Sequence, residues 1–151
     1  MNECPIDIIL AFQPSRSSAI TDAVIMRSLP ALRILLKVLS PDEVGDDGVR
    51  PIQAAMCEVE MMKILLAHGA IIAKGDLHLA ATISNDAVKE LLKNSANSLE
   101  IVNGCLPRDL SANAEISRTL FIAEQLQLHV ALKLALASLD VVHPVLIAFL
   151  H

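Results

Sequence analysis

Aromatic residues are almost missing from this chain of 151 residues, which contains three Phe but no Trp and no Tyr. β-Strands favour aromatic and β-branched residues, whereas the chain is rich in Leu and Ala, so packed helices are expected. The lack of Trp and Tyr also leaves little for bases to stack on. The twelve Lys and Arg are scattered along a chain of net charge −5. Nucleic acid is therefore not expected as a partner.

Cysteine is scarce as well, with three residues far apart in the sequence: Cys4, Cys57 and Cys105. An odd number of separated thiols argues against a disulfide framework or a zinc site, and fits a reduced protein of the cytoplasm or nucleus. The histidines are not spaced as a ligand set with any Cys or carboxylate. The acidic run Asp42–Asp47 lacks the alternating spacing of a calcium loop and is expected to be a solvated loop tip. No metal and no cofactor is therefore expected.

Sequence signatures of catalysis are missing too. The chain contains no G-x-S-x-G, no phosphate-binding loop and no G-x-G-x-x-G. We therefore predict no catalytic residue, no enzyme activity and no small-molecule substrate. The short apolar run Ile6–Phe12 lies among acidic residues and lacks a basic start, so no secretory signal is expected either.

The chain does contain abundant apolar residues, which make up 54% of the sequence, and its length is typical of one domain. One stretch organises the rest: Asp47–Ala55 followed by Met61–Ala70. Gly48 suits a turn with positive φ, and Pro51 suits the first turn of a helix, where its missing N–H would be unpaired anyway. Gly69 follows the second apolar run at the usual helix stop. The stretch therefore predicts a turn, a helix of little more than one turn, a second helix and a stop.

This order of parts resembles the ankyrin repeat, a turn plus two helices that begins with a T-P-L-H-x-A motif. The segment Arg50-Pro51-Ile52-Gln53-Ala54-Ala55 is similar to that start, and so is Leu77-His78-Leu79-Ala80-Ala81. Gly104–Ser111 is similar to a common terminal-repeat variant, and Ser95-Ala96-Asn97 stands where Gly-Ala-Asp usually ends a repeat. The resemblance implies an all-α solenoid of about four degenerate repeats with a lead-in and a helical extension. The expected bounds are 1–18 for the lead-in, 19–45, 46–73, 74–102 and 103–120 for the repeats, and 121–151 for the extension.

Cap and breaker residues predict where individual helices begin and end. A short helix is expected over Ala19–Arg27, and a second from Pro30 to Leu39, stopped by Ser40-Pro41. Ser84 or Asn85 is expected to cap the helix of the third repeat. Asn113 or Ser111 is expected to cap a long helix from about Ala114. Within that helix, apolar residues alternate between Leu126 and Leu136, which is typical of a strand, but the residue types and the length favour a helix.

The family resemblance also implies a function. Ankyrin-type repeats bind other proteins through their finger loops and inner helices, so the chain is expected to be a non-catalytic adaptor or regulator in the cytoplasm or nucleus. The family's His, here His78, is also expected to bond to backbone between neighbouring fingers. The residues expected at a partner-binding surface are Asp46, Asp47, Arg50, Gln53, Met56, Lys74, Asp76 and His78.

A narrower resemblance is to the small ankyrin-type inhibitors of cyclin-dependent kinases. Gly48-x-Arg50-Pro51-Ile52-Gln53 is similar to their second repeat, and Gly104-x-Leu106-Pro107-x-Asp109-Leu110 to their fourth. This resemblance implies a protein kinase as the partner, contacted by Gln53 and Met56. Met56, Met61 and Met62 form a helical core cluster by default, with an adaptable contact surface as the alternative.

The apolar segment Val130–Leu150 leaves three alternatives open. A packed C-terminal helix that caps the repeats is favoured, and an apolar face for a partner or for self-association is the second. A membrane span is the third, because 21 residues are long enough to cross a bilayer. Lys133, Asp140 and Pro144 lie within the segment and make that crossing costly, so membrane association is not expected.

Overall fold

The structure of the chain is a computed structural model that describes residues 18–142, with the side chains of residues 18–139. The expected lead-in therefore lies outside the described residues except for Ser18, and so does the apolar end Val145–Leu150. Seven α-helices and two 3₁₀ helices, with no strand, make up the regular structure of residues 18–142. The prediction of an all-α protein is confirmed, while the arrangement of an ankyrin solenoid stays a prediction.

The helices follow one another with short connections. Their bounds are α1 Ala19–Ile25, α2 Leu29–Leu35, α3 Pro51–Ala54, α4 Val59–Ala67, α5 Asp76–Ile83, α6 Asn85–Lys93 and α7 Ala114–Val142. The 3₁₀ helices cover Ala55–Cys57 and Pro107–Leu110. The chain divides into two compact units, the first ending at Asp76 and the second beginning at Leu77. Each unit is described by itself below.

In the first unit, serine side chains start the first two helices. The Ser18 hydroxyl accepts a hydrogen bond from the Thr21 N–H at 3.0 Å, and the Ser28 hydroxyl accepts one from the Ala31 N–H at 3.3 Å. α1 packs against α2 and α3, and α4 packs against α2 and α3. The core of this unit is formed by the buried side chains of Ile20, Val24, Leu32, Ile52, Ala55, Met56, Met61, Met62 and Leu65. The prediction that the three methionines are core residues is confirmed.

α2 is shorter than the sequence predicted, ending at Leu35 instead of Leu39. The next two amides, of Lys37 and Val38, bond to carbonyls three residues back at 3.1 Å, the spacing of a 3₁₀ turn. The helix therefore tightens before Ser40-Pro41 is reached. α3 has only four residues, so the prediction of little more than one turn is confirmed.

In the second unit, α6 packs against α7, and α7 also packs against the 3₁₀ helix Pro107–Leu110. Ser84 caps α6, accepting a hydrogen bond from the Ala87 N–H at 3.4 Å. Asn113 caps α7, accepting one from the Ile116 N–H at 2.9 Å. The core of this unit is formed by the buried side chains of Leu77, Ala80, Ala81, Ala87, Val88, Leu91, Ile116 and Leu120.

α7 is one continuous helix of 29 residues, so the alternating apolar residues of Leu126–Leu136 lie on a helix, as predicted. Its buried side chains are Ile116, Leu120 and Glu124, spaced by four residues along one face. Beyond Gln127, no side chain of residues 128–139 is buried. The packing expected for Val130–Leu150 is therefore wrong over residues 130–139, and the rest of that segment lies outside the described side chains. By length and composition alone, Ala114–Leu139 could cross a membrane, and 11% of its apolar window is buried.

Three helices end in the same backbone motif. Arg27, Gly69 and Ser95 each have positive φ. In each case the next amide bonds at 3.0 Å to the carbonyl five residues back, as in a Schellman motif. Ser95 thus occupies the position that Gly69 occupies in the preceding helix pair. Ser95 and Ala96 therefore have the local backbone of a helix end, while their place at the end of a repeat stays a prediction.

Candidate partner-binding surface

The acidic loop, defined here as residues 40–49, precedes α3. Its tip is a turn in which the Gly48 N–H bonds to the Gly45 carbonyl at 3.1 Å, with Gly48 at φ 73°. The Asp47 carboxylate accepts a hydrogen bond from the Val49 N–H at 3.1 Å and so stabilises the turn. The side chains of Asp46 and Asp47 remain exposed. Two of the predicted site residues therefore present negative charge on a structured turn.

Asp42 connects the acidic loop to the connection after α4. Its two carboxylate oxygens lie 3.0 and 3.2 Å from the amide nitrogen of Ile71, which donates to them. No local sequence signal marks this contact, because the two residues are 29 positions apart. Sequence reasoning treated Asp42 only as part of a solvated tip and missed its structural role.

Arg50 holds the other side of the same connection. Its Nη1 donates to the Ile71 carbonyl at 3.1 Å, and its Nη2 forms an ion pair with the Asp76 carboxylate. The second oxygen of Asp76 accepts the Ala73 N–H at 2.7 Å. The short connection Ala70–Gly75 is thus fixed by the carboxylates of Asp42 and Asp76 and by the guanidinium of Arg50. Because the Asp76 side chain is 1% exposed, this pair is largely removed from water.

Gln53 and Met56 are the residues that the kinase-inhibitor resemblance places against a partner. The Gln53 side-chain oxygen accepts the Arg50 N–H at 3.0 Å, so the half-buried amide caps the start of α3. Met56 is 1% exposed and belongs to the core of the first unit. Its contact with a partner stays a prediction, and the structure gives the side chain a packing role instead.

Lys74 and His78 complete the predicted set and differ sharply in burial. Lys74 is exposed, whereas His78 is buried in the second unit. His78 Nε2 lies 2.9 Å from the backbone carbonyl of Cys105, to which it donates, and its Nδ1 lies 3.8 Å from Glu100. The expected bond from His78 to backbone is confirmed.

The acceptor of that bond belongs to a two-residue turn that the sequence analysis overlooked. Val102 and Cys105 exchange both backbone hydrogen bonds at 3.0 Å, and the residues between them, Asn103 and Gly104, have φ of 52° and 77°. Asn-Gly is the strongest short-range signal for a type I′ turn. That dipeptide could therefore have located the turn from the sequence.

The predicted site residues of the first unit thus fall into two groups. Arg50, Gln53, Met56 and Asp76 fix loops and fill the core, while Asp46, Asp47 and Lys74 are exposed. Within residues 18–139, no group of three His, Cys, Asp or Glu side chains is arranged to hold a metal ion. What the exposed group can do chemically is bind: carboxylates accept hydrogen bonds and ion pairs from Lys or Arg, and Lys74 donates to acidic groups.

No protein-family model matches the chain, and a comparison with curated proteins gives no match.

Proposed function

We propose that the chain is a non-catalytic protein-interaction module of the ankyrin type, and that it binds a partner protein through the acidic loop and its neighbouring connection. The observation that carries this proposal is the repeated construction of the helix starts. Gln53, His78 and Asp109 occupy the same position of the start motif, and each bonds to backbone. The helix ends at Arg27, Gly69 and Ser95 share one motif as well.

This construction separates scaffold from contact surface. The polar side chains at the motif position bond to backbone, and the Arg50–Asp76 pair fixes the connection after α4. The exposed charge is left at loop tips, on Asp46, Asp47 and Lys74. A loop whose shape is fixed before binding loses less conformational entropy on association than a flexible loop does. A partner with Lys or Arg opposite the acidic loop fits this surface.

A charge reversal on the acidic loop tests the proposal. The Asp46→Lys variant keeps the hydrogen bonds of Asp42 and Asp47, so the loop should keep its shape while its charge changes. Partners captured from lysate by the native chain and identified by mass spectrometry should be lost or reduced at least tenfold with this variant. Asp86→Lys, on the exposed face of α6, is the matched control and should retain them. Equal capture by both variants would remove the acidic loop from the proposal.

Inhibition of a cyclin-dependent kinase is the second candidate, favoured by the four-residue α3. A short first helix in the second repeat is the feature that the chain shares with the small inhibitors of these kinases. The test is the activity of a purified cyclin-dependent kinase titrated with the full chain. Inhibition at micromolar concentration, weakened by Gln53→Ala while the helical circular dichroism is unchanged, would support it. Full kinase activity at all concentrations would remove it.

A further inference from the structure

The second half of α7 extends past the body of the second unit. Among the side chains of residues 114–139, Gln127 is the last that bonds to that unit, through its contacts with Ser98 and Ala96. Beyond it, Leu128, Val130, Leu132 and Leu134 are between 50% and 68% exposed. Single exposed apolar residues are normal, but a continuous run of this kind marks an interaction surface.

The alternation of apolar residues has a geometric consequence on a helix. Successive residues are rotated by about 100°, so alternate positions fall on two opposite faces. The first face, called face A, carries Leu128, Leu132, Ala135 and Leu139. The second, called face B, carries Leu126, Val130, Leu134 and Ala137. His129 and Lys133 lie between the two faces on one line.

Face A has the spacing of a helix–helix seam. Leu128, Leu132, Ala135 and Leu139 are separated by four, three and four residues, and Phe121 lies seven residues before Leu128 on the same face. This is the a and d spacing of a coiled coil, whose partner must be another helix with the same repeat. A second copy of α7 carries that repeat by definition, so the two seams are self-complementary about a two-fold axis.

A lipid bilayer is a less favourable environment for this half of α7 than a second helix is. On the scale of membrane insertion, one Lys at the centre of a helix costs about as much as several Leu or Val residues contribute. Seven large apolar residues between Leu126 and Leu139 are therefore largely offset by Lys133 alone. Against a second helix on face A, Lys133 and His129 stay at the solvent side and this cost does not arise.

The exposed apolar area of face A sets the size of the contact that it can make. Seven large apolar side chains of α7 are about half to two-thirds exposed: Phe121, Ile122, Leu126, Leu128, Val130, Leu132 and Leu134. At roughly 100 Å² each, the three on face A (Phe121, Leu128 and Leu132) supply about 300 Å² of the roughly 800 Å² that each partner contributes to a standard-size interface, so the contact belongs to the small interfaces. A two-helix contact covers face A and leaves face B exposed.

We infer that α7 associates with a second copy of this chain through face A. This inference concerns residues 121–139 and is independent of the acidic loop, so either proposal can fail while the other holds.

Molar mass in solution tests the inference with the full chain. By light scattering after size-exclusion chromatography at about 100 µM, we expect the mass of two chains. Leu132→Glu on face A should reduce it to one chain, and Leu134→Glu on face B should leave two. His129→Glu is the matched control, because it adds the same charge between the faces and should leave the native mass unchanged.

Two outcomes would overturn the inference: a native chain that is monomeric at this concentration, or a Leu132→Glu variant that keeps the native mass. Co-sedimentation of a monomeric native chain with phosphatidylcholine and phosphatidylserine vesicles would instead assign α7 to a membrane. No side chain of residues 128–139 is buried in the second unit, so these substitutions should not unfold it. The helical circular dichroism of each variant should therefore equal that of the native chain.

Discussion

The buried carboxylate of Asp76 is the residue on which the connection after α4 depends. It pairs with Arg50 and accepts the Ala73 N–H, while its own side chain is 1% exposed. A buried ion pair gains little over apolar groups of the same volume, but removing one partner leaves an uncompensated charge. The stability of the first unit is therefore more sensitive to this single charge than to any exposed carboxylate.

Asp76→Asn is expected to lower the free energy of unfolding by about 2–4 kcal/mol, since the Arg50 guanidinium loses its counter-charge. Asn keeps an oxygen that can accept the Ala73 N–H, so the loss reports the missing charge. Equilibrium urea unfolding measures it. Asp86→Asn, an exposed carboxylate on α6, should change stability by less than about 0.5 kcal/mol. Equal effects of the two substitutions would contradict the role given to Asp76.

For single residues, the sequence predicted the features that short motifs determine, but not the contacts between residues far apart in the chain. The backbone bond of His78, the capping of α6 by Ser84 and the burial of the methionines followed from short motifs and apolar spacing. The contacts of Asp42 and Arg50 with Ile71 did not, because they join residues 29 and 21 positions apart in sequence. Such pairs depend on how helices pack, which a single sequence does not display.

Among the elements, α7 is bonded to residues 96 and 98, which follow α6, through the side-chain amide of Gln127. The Gln127 oxygen accepts from the Ser98 N–H at 2.9 Å and from the Ser98 hydroxyl at 2.7 Å. Its Nε2 donates to the Ala96 carbonyl at 2.9 Å. Both loop residues are buried, so water cannot easily replace these three bonds. The loop conformation and the position of the helix are thereby coupled.

Gln127→Ala should cost about 2–3 kcal/mol of unfolding free energy, because buried donors and an acceptor lose their partner. The Ser98 amide should also exchange its hydrogen faster, which hydrogen-exchange mass spectrometry detects in a peptide covering the loop. Gln125→Ala is a matched control two residues away, on the exposed side of α7. If Gln125→Ala were as destabilising as Gln127→Ala, the loss would reflect a general effect of truncating a side chain on α7 and not the loop contacts.

Element boundaries were predicted where a cap or breaker dominates and missed where backbone geometry decides. Ser84 and Asn113 mark helix starts through side-chain acceptors that the sequence displays. The early end of α2 comes from a 3₁₀ turn without any Gly or Pro at its last residue, so no residue type marks it. In α7, helix-favouring residues outweighed an alternation of period two, because residue composition and helix length both favoured one continuous helix.

For the molecule as a whole, the repeat resemblance was a local inference. Start motifs and helix ends recur in both units, whereas the stacking of repeats into a solenoid stays a prediction. The extension was the largest miss, since composition shows that a helix is apolar but not what covers it. On the proposed self-association, a second copy of the chain covers face A in the half of α7 that the fold of one chain leaves exposed.

Self-association predicts that thermal stability depends on protein concentration. Folded chains that associate are stabilised by mass action, and a tenfold rise in concentration is worth about 1.4 kcal/mol per dimer. Shared between two chains of this size, that corresponds to a rise in Tm of roughly 1–3 °C. The expected readout is the circular dichroism melt of the native chain at 5 and 50 µM, with Leu132→Glu measured alongside. The native Tm should rise and the variant Tm should not, because only the native chain couples the folding of α7 to a second copy. A concentration-independent native Tm would mean that the apolar faces of α7 contribute nothing to the stability of the fold.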